Sequence, residues 1–297
     1  MKEGVDSESG ADSAGDPRGL RVRAKWPVSD PLVGEALSIF RGRGFEFDQL
    51  RPYAPGDEIS SIEWNVYART GELFSRQDVE ERELTVLLLV DLSSSAGFGS
   101  GDLTKRDTLR KCAALLAGAA LGAHDRVGLA PFASDLLAEV PTGRGRRQRM
   151  RIEDALGLQP RSDGPTDLAP PLGWALQRKS RALVFLLSDF IAPVPEVLDQ
   201  VAARHDLIAI RVADKRETEL ASAGLIEVRD PETGAIRLLD TSSRRVREAY
   251  GAEAAAGRLA WDEAVARLGI ARLELAAGAD PLLPLQRFLA AAGGGRG

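Results

Sequence analysis

An aspartate and two serines follow a strongly apolar run at alternating positions. The run LTVLLLV occupies residues 84–90, and Asp91, Ser93 and Ser95 come directly after it. A continuous apolar run of this length is typical of a strand that is buried on both faces of a parallel sheet. Alternate side chains of an extended segment point to one side, so the three side chains can converge at the end of that strand. One carboxylate and two hydroxyls suit a hard cation such as Mg²⁺.

Two further oxygen ligands are expected on neighbouring loops. Thr166 lies at the start of a predicted helix, and Asp189 ends the apolar run RALVFLLSD at residues 181–189. Open α/β sheets bind ligands at the carboxyl edge of their strands, so Asp91 and Asp189 should face the same rim. Any one of these residues is better explained as a turn or capping residue, but their joint occurrence favours a metal site. The predicted metal ligands are Asp91, Ser93, Ser95, Thr166 and Asp189.

Nucleotide binding and serine hydrolysis fit this segment less well. A serine nucleophile needs a histidine base, and the chain has only His124 and His205. Each of them lies near the end of a predicted helix, where a histidine typically interacts with the helix dipole. The chain contains no G-x-x-x-x-G-K-[ST] phosphate-binding loop.

A metal-dependent phosphohydrolase that uses Asp91 stays open as the alternative function. Such sites commonly place a second carboxylate two residues further on, for general acid catalysis, and Ser93 occupies that position here. Only Asp102 and Asp167 are loose candidates for the missing acid. The oxygen-rich metal site therefore remains the leading hypothesis.

Strand-like and helix-like segments alternate around these residues. The predicted strands are 84–90, 126–133, 181–189 and 206–212, and the predicted helices are 104–122, 146–157, 168–178 and 195–205. This alternation predicts right-handed crossovers and a three-layer α/β sheet. A hairpin at 225–241, a long helix at 243–268, a strand at 270–277 and a closing helix at 281–292 are expected to follow.

Three regions follow from these patterns. Residues 1–30 are acidic and polar and predict a disordered tail. Residues 31–83 have short alternating segments and strong turn signals, which predict a small β-rich module. Residues 84–297 form the predicted α/β domain, which includes the hairpin at 225–241.

The predicted metal ligands resemble a known constellation. The D-x-S-x-S pattern at Asp91, Ser93 and Ser95, followed by Thr166 and Asp189, resembles the metal-ion-dependent adhesion site of von Willebrand factor A domains. The resemblance implies a von Willebrand factor A-like, Rossmann-like sheet flanked by helices. It also implies that a carboxylate of a bound partner completes the coordination of the cation.

A longer signature lies upstream and resembles the bacterial family called domain of unknown function 58. The matching residues are Gly42, Gly44, Phe47, Arg51, Tyr53, Pro55, Gly56, Asp57, Ile62, Trp64, Ala68 and Arg69, followed by the D-x-S-x-S pattern. The likeness covers about residues 30 to 290. It implies a non-enzymatic adaptor or chaperone that acts with a MoxR-type AAA+ ATPase.

Composition sets the remaining expectations. The formal net charge of −5 argues against nucleic acid as a partner, and the single cysteine, Cys112, fits a reducing compartment. No run approaches the roughly 20 apolar residues of a membrane span, and the N-terminus has no signal-peptide core. The expected location is the cytoplasm. The arginine cluster at 143–151 is interpreted as a solvated helix face.

Overall fold

The structure is a computed structural model of the 297-residue chain. It describes residues 50–54, 57–59, 62, 64–76, 84–97, 99, 101, 103–160, 165–217, 222–229 and 236–294. The predicted disordered tail (1–30) and the first part of the predicted β-rich module (31–49) lie outside the described residues.

Six strands form one central sheet, which is parallel except at one edge. The strands of the chain are β1 (Leu50–Pro52), β2 (Phe74–Arg76), β3 (Thr85–Asp91), β4 (Arg126–Phe132), β5 (Val140–Gly143), β6 (Leu183–Ser188), β7 (Asp206–Ala213), β8 (Leu225–Arg229), β9 (Ile236–Asp240) and β10 (Ala271–Ala276). The strand order in the central sheet is β10-β7-β6-β3-β4-β5. Only β5 runs antiparallel to its neighbour, and this edge strand was not predicted.

Helices cover both faces of the sheet. They are α1 (Trp64–Thr70), α2 (Lys105–Gly122), α3 (Gly145–Leu156), α4 (Ala169–Leu176), α5 (Val197–Arg204), α6 (Arg244–Leu268) and α7 (Leu282–Gly294), with short 3₁₀ turns at Ser95–Gly97 and Lys215–Glu217. Buried side chains of α2, α3 and α7 pack on one face, and those of α4, α5 and α6 pack on the other. The predicted mixed α/β class with three layers is therefore confirmed.

The central strand β3 explains why its sequence is apolar without interruption. Val86, Leu88 and Val90 point into the core beneath α2, whereas Leu87 and Leu89 point into the core beneath α4 and α6. All five are fully buried. Each such side chain contributes about 1.5–3 kcal/mol relative to an exposed one, so both faces of the strand hold the layers together.

A capping box sets the start of α2. Thr104 Oγ1 accepts a hydrogen bond from Asp107 N at 3.1 Å, and the Asp107 carboxylate accepts one from Thr104 N at 2.9 Å. These bonds satisfy two backbone donors that the first turn would otherwise leave unpaired. They fix the position of the next residue, Lys105, whose side chain is fully buried.

The segments outside the central sheet are small. Strands β1 and β2 pair antiparallel, and α1 lies between them in the chain, a helix that was not predicted within the β-rich module. Strands β8 and β9 pair antiparallel within the segment predicted as a hairpin, and the residues of its turn (230–235) lie outside the described ones. No helix in the described part of the chain combines the length and apolarity that crossing a membrane requires.

Candidate metal centre

The first residues of the candidate site lie where β3 and β6 end. Asp91 is the last residue of β3, and Ser188 is the last residue of the neighbouring strand β6. Ser188 Oγ donates a hydrogen bond of 2.6 Å to Asp91 Oδ2. The other carboxylate oxygen, Oδ1, accepts a bond of 2.9 Å from Ser93 N, which turns the chain sharply after the strand. The Asp91 side chain is therefore held rigidly at the carboxyl edge of the sheet.

A chain of hydroxyl groups extends from this aspartate. The Oγ atoms of Ser93 and Ser95 lie 2.9 Å apart, and Ser95 Oγ lies 3.4 Å from Thr166 Oγ1. These side chains are 1%, 2% and 6% exposed, respectively. The Arg106 guanidinium of α2 donates a 2.5 Å bond to Ser93 O and so fastens the loop from outside. The structure thus brings together Asp91 and the three hydroxyls that the sequence singled out.

Asp189 takes part in a different set of contacts. Its Oδ1 accepts a bond of 3.2 Å from Ile191 N, and its Oδ2 accepts one of 2.7 Å from Lys105 Nζ. The Lys105 ammonium also pairs with the carboxylate of Glu217, in the 3₁₀ turn that follows β7. Asp189 therefore lies at the same edge as Asp91, but within the described residues it makes no hydrogen bond to the three hydroxyls.

The negative charge of Asp189 affects the pKa of Asp91. Burial, and then the negative charge of Asp189, raise the pKa of Asp91 from 3.8 to about 6, although hydrogen bonds from Ser188 and Ser93 oppose the shift. Burial also disfavours the charged form of Lys105, but the carboxylates of Asp189 and Glu217 outweigh it and hold the pKa of Lys105 above its usual value. Without a cation, the charged form of Asp91 is therefore disfavoured, whereas the charge of Asp189 is offset by Lys105.

Three residues of this centre were missed from the sequence: Lys105, Ser188 and Glu217. The position of Lys105 was one available signal. A lysine in the first turn of a helix interacts unfavourably with the helix dipole, which indicates that another interaction stabilises it. Ser188 directly precedes Asp189, but nothing in the strand pattern marked it as a residue of the site. Glu217 follows β7 in an ordinary polar turn, so no local signal marked it.

The histidines lie far from this edge. His124 and His205 directly precede β4 and β7, with at most one residue between, and therefore lie at the amino edge of the parallel strands. A strand of seven residues, such as β4, separates the two edges by about 20 Å. His205 Nδ1 instead accepts a bond of 3.2 Å from Ala182 N. Neither histidine can therefore serve as a base for Ser93 or Ser95.

The acids required by the alternative hydrolase hypothesis are placed as follows. The Asp167 side chain is exposed, and its Oδ1 accepts a bond of 2.8 Å from Ala169 N at the start of α4. Asp102 lies outside the described residues. Each oxygen of Asp91 accepts one hydrogen bond and keeps a further lone pair, so these bonds do not decide between a nucleophile and a metal ligand.

The oxygen atoms of the site fit a hard divalent cation. Within the ranges that the structure describes, no three Asp, Glu, His or Cys side chains group closely enough to hold a metal ion. Coordination here would therefore depend on the hydroxyls of Ser93, Ser95 and Thr166 together with carboxylate oxygen. Hydroxyl and carboxylate ligands suit Mg²⁺, Mn²⁺ and Ca²⁺ rather than softer metals.

Comparison with known proteins finds relatives that are named as uncharacterised proteins. An uncharacterised protein of Mycobacterium tuberculosis (strain ATCC 25618 / H37Rv) is 30% identical over 279 residues, which cover 92% of this chain and 87% of the relative. A second, from Mycobacterium avium, is 30% identical over 159 residues, which cover 52% of this chain and 93% of the relative. Among solved structures, the conserved hypothetical protein BatB from Bacteroides thetaiotaomicron matches 70% of this chain and 97% of its own, at 13% identity and a TM-score of 0.46.

A family model also matches most of the α/β region. Its description is "Protein of unknown function DUF58", and the match spans residues 49–260. This span begins before β1 and ends within α6, so it includes Asp91, Ser93, Ser95, Thr166 and Asp189. The chain belongs to the DUF58 family of proteins of unknown function.

Proposed function

We propose that this protein is a non-enzymatic, metal-dependent protein-interaction domain of the von Willebrand factor A type. Its cation, Mg²⁺ in the first instance, would be held by Asp91, Ser93 and Ser95, with Thr166 and Asp189 at the same edge. The observation that carries this proposal is the chain of buried oxygens, with contacts of 2.9 Å between Ser93 and Ser95 and 3.4 Å between Ser95 and Thr166. Oxygens at this spacing suit neighbouring corners of an octahedral Mg²⁺ site, in which each Mg–O distance is about 2.1 Å.

The charges of the centre explain why a partner would complete it. Three of the five proposed ligands are neutral hydroxyls, and the charge of Asp189 is already offset by the Lys105 ammonium at 2.7 Å. A divalent cation held in this way remains incompletely neutralised, and Mg²⁺ prefers six oxygen ligands. A carboxylate side chain from another protein supplies both the missing charge and the missing oxygen.

Loss of Asp91 should abolish metal binding. Mutation of a residue that only hydrogen-bonds to a metal ligand typically lowers metal affinity about 10–100-fold. Asp91 is proposed as a direct ligand, so Asp91→Ala should lower the affinity for Mg²⁺ by more than about 100-fold. Isothermal titration of parent and variant with Mg²⁺ and Mn²⁺ measures this. Ser94→Ala is the matched control, because Ser94 is only half-buried and stands between the two proposed serine ligands. Equal affinity in parent and Asp91→Ala would disprove the metal site.

The partner class is inferred from the family resemblance of the sequence. We propose a MoxR-type AAA+ ATPase as the partner, with this protein acting as its adaptor or chaperone. Affinity purification of the tagged chain from its own organism, in Mg²⁺ and in EDTA, should recover such an ATPase only in Mg²⁺. Recovery in neither buffer counts against the partner, and equal recovery in both counts against a role for the metal in docking.

A further inference from the structure

A cavity of about 250 Å³ adjoins the metal centre on the side of α6. It lies between strands β7 and β10 and this helix. The polar and aromatic side chains that line it are Phe190, Arg211, Trp261, Asp262, Arg272 and Glu274, and the remainder of the lining is aliphatic. Phe190 directly follows Asp189, so one wall of the cavity belongs to the loop that carries a proposed metal ligand.

Strand register places the cavity and the metal centre in one row across the sheet. In the strand register, Arg211 lies opposite Ser188 on β6 and opposite Glu274 on β10. Paired residues of neighbouring strands share a face of the sheet, so Arg211 lies on the same face as Ser188. Ser188 in turn donates its hydroxyl hydrogen to Asp91 at 2.6 Å. Two strand spacings, about 10 Å, therefore separate the backbone of Arg211 from that of Asp91.

Arg211 has no partner among the described residues. It makes no hydrogen bond or ion pair with them, and its Nε atom is buried without an acceptor. Arg272, in the same cavity, contrasts with it, because its guanidinium pairs with Asp262 at 2.5 Å. Burial, and then the nearby charge of Arg258, lower the pKa of Arg211, although the negative charges of Glu274, Asp262 and Asp189 oppose the shift without contacting the guanidinium. A partly buried guanidinium with an unsatisfied donor is costly for folding, and an anion would satisfy it.

Of two aromatic side chains of the cavity, Phe190 belongs to the loop that carries Asp189, and Trp261 contacts this loop. The rings of Phe190 and Trp261 lie 4.4 Å apart, and Trp261 Nε1 donates a bond of 2.8 Å to Ala192 O. Phe190 has a φ of 55°, in the left-handed region that a bulky residue seldom adopts. The loop that carries Asp189 is therefore held in place by the same side chains that a ligand in the cavity would contact.

We propose that this cavity is a second binding site, which takes the carboxylate of an acidic side chain and holds it with Arg211. A carboxylate fits better than a phosphate dianion, because Asp262 and Glu274 also line the cavity and would repel a second negative charge. In the complex, the guanidinium pairs with the carboxylate in a bidentate manner, and the aromatic rings contact the stem of the side chain.

In its full form the inference rests on the proposed function, because the partner would then bind at two points. One acidic residue reaches the metal ion and a second reaches Arg211. An extended chain advances about 3.3 Å per residue and its alternate side chains point to one side, so two acidic residues four positions apart, about 13 Å, can span the separation of about 10 Å. The carboxylate site itself requires no metal, and the two parts can be tested separately.

Titration of the isotope-labelled full chain with phenylacetate tests the carboxylate site. Both wall groups carry reporter protons, the Arg211 Nε–H and the Trp261 indole N–H, and both NMR signals should shift saturably. We expect the same shifts in EDTA and in Asp91→Ala, so this result is independent of the metal. Absence of saturable shifts at both groups in the parent protein overturns the proposal.

Arg211→Met should lower the phenylacetate affinity at least about tenfold, because the charge-assisted pair is lost. Its melting temperature should equal or exceed that of the parent, because an unpaired guanidinium has been removed; a structural arginine would show the opposite. Arg181→Met is the matched control, since Arg181 pairs with Asp206 at the opposite edge of the sheet. An affinity of Arg211→Met within twofold of the parent overturns the proposal.

A capped peptide with two glutamates separated by three alanines tests the link between the two sites, because both glutamate side chains then point to one side. Parent protein in Mg²⁺ should bind it at least about tenfold more tightly than a peptide with one glutamate, and Arg211→Met should lose this gain. If the protein binds phenylacetate but neither peptide, the cavity takes a small free carboxylate, and the proposal of an acidic side chain from a protein partner is overturned. Loss of the gain in EDTA with retained phenylacetate binding supports both sites, whereas a gain that persists in EDTA contradicts only the metal.

Discussion

Replacement of Lys105 by methionine is expected to lower the free energy of unfolding by about 3–5 kcal/mol. The Lys105 ammonium lies 2.7 Å from Asp189 Oδ2, and the two side chains are 0% and 1% exposed. Methionine nearly fills the same space but leaves the Asp189 carboxylate buried without its cation. A buried charge that loses its partner keeps its full desolvation cost, so this substitution is more damaging than loss of packing alone.

Urea unfolding followed by circular dichroism measures this loss. Lys111→Met is the matched control on the same helix, because its ion pair with Asp280 at 3.2 Å is partly exposed on both sides. Exposed pairs contribute about 0–1 kcal/mol, so the control should change stability little. Equal stability of the two variants would show that Lys105 does not hold the Asp189 loop.

The double variant Lys105→Met/Asp189→Asn separates charge from packing. Removal of both charges should restore a large part of the stability that Lys105→Met loses, because no buried ion is then left alone. The third member of the network, Glu217, is 20% exposed and can be hydrated, so its charge is the less costly one to leave unpaired. A double variant no more stable than Lys105→Met would assign the loss to packing.

Replacement of Trp261 by alanine is expected to cost about 3–5 kcal/mol of stability. The side chain is 4% exposed, packs on Phe190 with ring centres 4.4 Å apart, and donates a hydrogen bond to Ala192 O at 2.8 Å. Alanine leaves a large cavity and an unsatisfied carbonyl. Both of these contacts are with the loop that carries Asp189, so we also expect the affinity for Mg²⁺ to fall.

Two further variants show how much of the stability lost in Trp261→Ala comes from packing and how much from the hydrogen bond. Trp261→Phe keeps most of the packing but loses the hydrogen bond, and should cost about 1–3 kcal/mol. Trp64→Ala removes a tryptophan that is 56% exposed, and should change stability by less than about 0.5 kcal/mol. Thermal and urea unfolding rank the three variants. A Trp261→Ala variant as stable as Trp64→Ala would show that the ring is not part of the core.

The order of the helices and strands from residue 84 onward could be predicted because it depends on local patterns. The run before Asp91 is apolar at every position, since β3 is covered on both faces. Helix α2 carries its own start signal, the Thr104–Asp107 capping box. Strand β5 was missed because VPTG is short and contains a proline, which is tolerated at the edge of a sheet but does not resemble a strand in sequence.

The candidate metal centre was only partly predictable. The alternation of Asp91, Ser93 and Ser95 is a local pattern, and the position of Asp189 after an apolar run places it at the same edge. The ion pair of Asp189 with Lys105 joins residues 84 positions apart, and the hydrogen bond of Ser188 to Asp91 joins residues 97 apart. No local pattern specifies such contacts, because they exist only once the strands lie side by side.

By itself, the sequence determined the α/β class, the ends of the buried strands and four oxygen side chains that meet at the sheet edge. These properties follow from periodicity and from the fact that parallel strands end at a common edge. Only the tertiary structure decided that Lys105 neutralises Asp189, that Ser188 orients Asp91, and that Arg211 makes no hydrogen bond or salt bridge within the described part of the chain. The physical reason is that burial and pairing of charge depend on neighbours across the sheet, whose identity the order of the chain does not reveal.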